Sequence, residues 1–202
     1  MSDSFARTRL ARAAARLNAA SSHAGALPML VLMTDDERLP DPLAAARALP
    51  RGSMVVLRAR DTKKQAKIFA SLTGIARRRS FIVLVAGIAL EGADGIHLSE
   101  ARVHEAPHWR ARFPRALITA SAHSLTALAR AQSFGVDAVF LSPIFATRSH
   151  PERAALTPMR AGLMVRQVRL PVYALGGVDA RSARRLIGTP FAGIAAIGAL
   201  AP

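Results

Sequence analysis

The chain has 202 residues, with 28 lysines and arginines against 13 acids for a formal net charge of +15, and it contains no cysteine. The missing thiols exclude disulfides, thiolate nucleophiles and Cys-based zinc sites, so a reducing, cytoplasmic compartment is the expectation. The length suits one domain with a full core, and no apolar stretch is long enough to span a bilayer, so no membrane partner is expected.

In chain order, residues 1–28 come first and place Arg7, Arg9, Arg12 and Arg16 among alanines. The segment lacks the apolar region of a signal peptide and carries an early acid, Asp3. It is expected to be helical and to cap the outside of a domain running from 29 to 202. Within that domain, eight short apolar runs recur at 29–33, 54–57, 81–85, 95–98, 116–120, 138–141, 172–175 and 193–197. Helices are expected between them at 42–49, 62–77, 124–134, 157–168 and 180–187, several opened by a capping residue or proline.

Strands separated by helices must run parallel, and strands apolar along their whole length are those covered outside by helices and packed inside by their own side chains. No strand is followed by a G-x-G-x-x-G or Walker loop, as an open doubly wound sheet binding nucleotides would have. Eight even repeats favour closure. The expected fold is therefore α/β, a single (β/α)₈ TIM barrel, with no internal sequence repeat beyond the strand–helix rhythm.

Residues just after the strands of such a barrel converge on one face, which defines a candidate site. They are Thr34 and Asp35, Arg58, Arg60 and Asp61, Ala86 and Gly87, Ser99 and Glu100, Ser121, His123 and Ser124, Ser142, Pro143 and Thr147, Gly176 and Gly177, and Gly198. Two neighbouring strands that stop in glycine offer bare backbone N–H groups to an anion. Gly176, Gly177, Ile197 and Gly198 are accordingly the expected phosphate-binding residues. The same glycines also serve as turn formers, which is the competing role.

The positive charge concentrates anions of every kind, but the arginines are scattered and the chain has one Trp, one Tyr and eight Phe as stacking platforms. No specific nucleic-acid partner is expected. His97 lies inside a strand and reads as a packed, hydrogen-bonded core residue. Glu100, His104 and His108 share a helical spacing, but Pro107 interrupts the helix that would align them, so no metal site is expected there. Arg58 has a competing role as the partner of Asp35 or Asp61 in a salt bridge at the barrel mouth. Lys63, Lys64 and Lys67 read as a solvated helix face.

Four motifs in order, GADGIHLSE from Gly92, ASAHS from Ala120, LSPIFATRSHPE from Leu141 and PVYALGGV from Pro171, resemble the thiamine phosphate synthase superfamily, which also contains the thiazole tautomerases. The likeness runs from about 29 to 200. It implies a barrel holding a thiazole phosphate on its last two loops, in agreement with the glycines. It also implies that Arg58 binds diphosphate, with Arg60 at a lysine position and Val56 where glutamine is usual. Ser142, Pro143, Ile144, Phe145 and Thr147 match the loop over the thiazole, with His150 in place of the lysine that follows, and Ser121 completes the substrate-binding set.

The synthases carry an Asn-Asp pair after the third strand and an Asp after the fourth for magnesium. This chain reads Ala86-Gly87 at the first place and Ser99-Glu100-Ala101-Arg102 at the second. The first expectation is therefore a metal-independent, tautomerase-like proton transfer on a thiazole phosphate, with His123 as acid/base and no cofactor. The alternatives are the synthase reaction, coupling a pyrimidine diphosphate to the thiazole phosphate with magnesium, and a non-catalytic binder of thiamine precursors. A homodimer is the one assembly considered.

Overall fold

The computed structural model describes residues 3–39, 41–147 and 154–201. Eight strands, β1 (Leu30–Met33), β2 (Met54–Leu57), β3 (Ile82–Ala86), β4 (Gly95–Leu98), β5 (Leu117–Ala122), β6 (Ala138–Leu141), β7 (Val172–Ala174) and β8 (Gly193–Ala196), pair in chain order into a closed barrel. Every pair is parallel, including the closing one, where Val31 of β1 faces Ala195 of β8. The strands agree with the sequence expectation to within two residues at either end.

Side chains alternate across a strand, so each strand feeds two cores. Val31, Met33, Met54, Val56, Leu84, Phe140, Tyr173 and Ala195 fill the interior of the ring. Their neighbours Leu32, Val55, Val83, Val85, Val139 and Ile194 pack outward against the helices. The interior is tight. Tyr173 stacks on Phe140 with centroids 5.1 Å apart and donates its hydroxyl to the Pro28 carbonyl at 2.8 Å. That ring fits only because Gly193 faces it: a Cβ there would stand 2.8 Å from Tyr173 Cε1 and run into the Met29 carbonyl.

The outer layer contains α1 (Asp3–Ala20), α2 (Pro42–Ala48), α3 (Thr62–Arg79), α4 (Ala106–Arg112), α5 (Leu125–Ser133) and α6 (Pro158–Val165). Asp41, Asp61 and Ser124 cap α2, α3 and α5 by accepting from backbone N–H groups of their first turns. Helix α1 lies across the seam between β8 and β1 and buries Leu10, Ala13, Ala14 and Leu17. Each of the two leucines gains about 1.5–3 kcal/mol from burial. Polar contacts fix the helix at both ends: Asn18 Nδ2 donates to the Ala192 carbonyl at 2.7 Å, and Arg7 Nη1 donates to that of Ala201 at 3.2 Å.

Two expectations need correction. The stretch 180–187 is not an α-helix but a 3₁₀ turn over Ser182–Leu186. Asp179 Oδ1 takes the N–H groups of Arg181 and Ser182, and Gly188, at φ +90°, turns the chain away, so only a short winding fits between them. Helix α4 follows directly on a 3₁₀ turn over Glu100–Glu105, and neither was expected. Pro107 does not break the winding as expected; it sits in the first turn of α4, where a proline is tolerated, and the chain changes there from 3₁₀ to α.

A repeat also emerges that was not expected. The triplets Gly92-Ala93-Asp94 and Gly135-Val136-Asp137 precede β4 and β6. In each, the glycine has positive φ and the aspartate accepts the N–H of the preceding strand's first or second residue, Val83 for Asp94 and Ile118 for Asp137, both at 2.7 Å. The same device closes the lower end of two strand pairs.

Candidate active site

The inward-facing rows continue past the strand ends and form the floor of the mouth: Met33 leads to Asp35, Val56 to Arg58, His97 to Ser99, Thr119 to Ser121 and Phe140 to Ser142. Arg58 is half-buried. Its Nη2 meets Asp35 Oδ2 at 3.2 Å and its Nη1 lies 3.1 Å from Met33 Sδ. Thr34 fixes the backbone beneath it, donating to the Arg58 carbonyl and accepting the Arg58 N–H, both at 2.8 Å. Asp35 also accepts from Arg38 Nη2 at 2.6 Å, and this bond, aided by the Arg38 and Glu37 amides, holds its carboxyl at about 2 against the pull of burial. Burial lowers the Arg58 pKa while the Asp35 charge opposes it.

The salt bridge considered for Arg58 thus exists with Asp35. Asp61 instead caps α3 through the Lys64 N–H at 2.6 Å. Arg60 does not join Arg58: its side chain is 82% exposed and pairs with Glu37 at 2.6 Å on the rim. The reason is local, since its own N–H is held by Asp36 and its neighbours on that side are acids.

After β3, the backbone carbonyls of Ala86 and Gly87 already have partners. Gln65 Nε2, itself buried, donates to Ala86 O at 3.2 Å, and Arg102 Nη1 donates to Gly87 O at 3.0 Å. The Arg102 guanidinium is clamped by Glu105 through Nε and Nη2 at 2.7 and 2.8 Å. A guanidinium therefore ties the β3 loop to the turn after β4. Among the described residues no three His, Cys, Asp or Glu side chains gather, and the one buried carboxylate oxygen without a partner, Glu100 Oε2, stands alone. Of the carboxylates that the resemblance implies for magnesium at these two strand ends, the chain keeps none after β3 and only that of Glu100 after β4.

After β5, His123 reaches across to β6: its Nδ1 lies 2.8 Å from the Ser142 carbonyl and 3.2 Å from Ser142 Oγ. A carbonyl can only accept, so neutral His123 carries its proton on Nδ1 and its lone pair on Nε2. Ser124 caps α5, while Ser121 bonds His97 Nε2 at 3.0 Å. His97 is buried, as its place in β4 suggested, with Nδ1 3.0 Å from Thr119 Oγ1.

The β6 loop is laid onto β7. Ile144 and Phe145 donate their N–H groups to the carbonyls of Leu175 and Gly176, both at 3.0 Å. This close approach is what Gly176 and Gly177 permit, at φ +89° and +66°. A Cβ on Gly176 would stand 2.8 Å from Pro143 Cα, and one on Gly177 would stand 2.6 Å from the Ala146 carbonyl. Gly198 is different, since nothing lies within 4 Å of the place its Cβ would take. Among the described residues no acceptor meets the N–H of Gly177 or Gly198. Ile197 precedes the 3₁₀ turn Gly198–Leu200 and is partly buried against both cores. Thr147 is half-buried in the β6 loop, and His150 lies outside the described residues.

A closed parallel barrel whose mouth gathers a half-buried arginine, hydroxyls, an imidazole and glycine amides unpaired among the described residues defines a (β/α)₈-barrel enzyme with its site at the C-terminal ends of the strands. The chain belongs to the thiamine monophosphate synthase family, whose model matches residues 30–200. It is similar to the putative thiamine-phosphate synthase 2 of Aquifex aeolicus, at 32% identity over 162 residues covering 75% of this chain and 86% of that protein. It is also similar to the thiamine-phosphate synthase of Chlorobium luteolum, at 29% identity over 181 residues covering 86% and 85%. The thiamine phosphate pyrophosphorylase structure from Pyrococcus furiosus shares the fold, with a TM-score of 0.70 and 24% identity over 84% of this chain and 85% of that one. The names of these relatives favour the synthase reading over the tautomerase reading that the sequence put first.

Proposed function

We propose that the chain makes thiamine phosphate by joining a thiazole phosphate to a pyrimidine that arrives as its diphosphate. The C–O bond to the diphosphate breaks, pyrophosphate leaves with the electron pair, and the thiazole nitrogen forms the new C–N bond. The observation that carries this reading is the pairing of two anion-holding ends on one mouth, Arg58 after β2 and the unpaired amides of Gly177 and Gly198 after β7 and β8. A reaction between two phosphorylated partners needs both. Arg58, kept cationic by Asp35, holds the diphosphate and steadies the charge that grows on it as it departs. The glycine amides hold the ester phosphate, and Ser121, Ser142 and Thr147 orient the rings. His150 belongs to the same loop by sequence. No step is assigned to magnesium, because the β3 end offers no carboxylate and the β4 end only that of Glu100.

One observation favours a second reading. His123 donates from Nδ1 to Ser142 O, which leaves Nε2 as a base, and proton transfer on the thiazole requires such a base and no metal. The experiment that separates the two is incubation of the purified chain with thiazole phosphate and pyrimidine diphosphate, with magnesium and with EDTA. Pyrophosphate release supports the synthase. Deuterium exchange into the thiazole without pyrophosphate release, lost in His123→Ala, supports the tautomerase, and tight binding with neither activity overturns both.

A further inference from the structure

A polar chain runs through the otherwise apolar ring interior, and its hydrogen-bond polarity can be worked out from the atoms. Thr119 is 0% exposed, and its hydroxyl has one partner among the described residues, His97 Nδ1 at 3.0 Å. A buried hydroxyl proton with no acceptor is costly, so Thr119 spends its proton on Nδ1, which must then hold the ring's lone pair. His97 is 3% exposed, has the edge of its ring against Phe140, with centroids 5.2 Å apart, and lies near one cation, Arg58; all of this keeps it neutral. A neutral imidazole with its lone pair on Nδ1 carries its proton on Nε2. That N–H therefore donates to Ser121 Oγ, 3.0 Å away.

Ser121 Oγ, once it accepts from His97, has its own proton left to give. Among the described residues nothing takes it, and Ser121 stands half-buried one inward step above Thr119, toward the mouth. We propose that Thr119 and His97 form a positioning relay that fixes Ser121 as a hydrogen-bond donor into the site, so that the ligand seated against β5 must present an acceptor, such as an unprotonated ring nitrogen, and not an N–H. The ligand half of this statement rests on the proposed function; the tautomer half stands on the geometry alone. Register supports the wiring: His97 pairs with Thr119 across β4 and β5, and Ser121 pairs with Phe140, so these side chains share one inward face. The relay also gives a reason for a histidine in a strand interior, where an apolar residue would pack at less risk.

The test uses the whole chain labelled with ¹⁵N-histidine, with His97 assigned by comparison with His97→Gln. Long-range ¹H–¹⁵N spectra at pH 7 are expected to show one protonated nitrogen at Nε2 and an unprotonated Nδ1. Thr119→Val is expected to give a mixture of tautomers, and Thr119→Ser to restore the single one, a rescue that mere packing would not produce. A protonated Nδ1, or a His97 that is an imidazolium at pH 6, overturns the relay. In calorimetry with the pyrimidine diphosphate and with thiazole phosphate, Ser121→Ala is expected to weaken one of the two about tenfold. Thr119→Val is expected to weaken the same one by a smaller factor, while inorganic phosphate binds all variants alike. If Ser121→Ala leaves both ligands unaffected, the donor role is overturned. If neither ligand binds the wild-type chain, the proposed function fails and the spectra alone decide the relay.

Discussion

Substituting Gly177 and Gly198 by alanine separates two roles that glycine plays at one site. Gly177 has φ +66°, where an L side chain costs about 1–2 kcal/mol. Its new methyl would also stand 2.6 Å from the Ala146 carbonyl, 2.8 Å from Phe145 Cβ and 2.9 Å from the Phe145 carbonyl, with backbone among the atoms that must give way. Overpacking of that kind costs about 1–3 kcal/mol, so the expected loss is about 2–5 kcal/mol in total. Gly198 has no left-handed φ and no atom within 4 Å of the added methyl, so Gly198→Ala is expected to change stability by less than about 0.5 kcal/mol. Urea denaturation followed through the single tryptophan, Trp109, measures both, and titration with thiazole phosphate is expected to show weaker binding by Gly198→Ala at unchanged stability. If Gly177→Ala is as stable as the wild type, or if Gly198→Ala loses as much as Gly177→Ala, the packing argument for the β6–β7 contact is wrong.

Acid is expected to destabilise the fold in two stages. His97 titrates at about 3 when folded against 6.5 for a free imidazole, mainly because of burial, so the unfolded state takes up the extra proton between those values. Stability is then full above about pH 6.5 and falls toward pH 3 by up to about 1.4 kcal/mol per unit, a limb that His97→Gln flattens in denaturation midpoints measured from pH 7 to 4. Asp35, at about 2 in the fold against 3.8, adds a second loss only as pH falls below about 4, and Asp35→Asn removes it. Asp137→Ala leaves the Ile118 N–H without its acceptor and Arg110 without its carboxylate, with only backbone carbonyls left to it, for a loss of about 1–3 kcal/mol and faster hydrogen exchange at Ile118. Leu17→Ala empties a fully buried position under α1 and is expected to cost about 2–5 kcal/mol by urea denaturation.

The ring itself was legible because parallel strands buried on both faces leave near-continuous apolar runs, and β2, β4 and β6 coincide with runs read from the sequence. The mouth residues were legible for the same reason: position after a strand determines the face. What the sequence hid was polarity and partner choice. Arg60 looks like a second cation for the site, but acids supplied by the β1 loop draw it to the rim. Gly176 and Gly177 look like pure anion-binding turns, whereas their first duty is to let Pro143 and Phe145 approach. The turn at Ser182–Leu186 was misread because alanines, arginines and a leucine suit an α-helix, and only the Asp179 turn and the turn at Gly188 reveal how little length is available. The G-x-D repeat was visible as letters, at Gly92 and Gly135, but its meaning lies in a bond to the strand before it, which no local pattern announces.

The seam helix ties together parts of the molecule made far apart in time. Asn18 rests on the carbonyl of Ala192, and Arg7 on that of Ala201, so the oily stripe through Leu10 and Leu17, which β1 also touches, is not fully covered until the last strand has been synthesised. At about 5–20 residues per second a ribosome takes on the order of 10–35 s to add the intervening chain. During that interval the apolar stripe of the helix lacks its full cover, and the ring cannot lock until translation reaches its eighth strand.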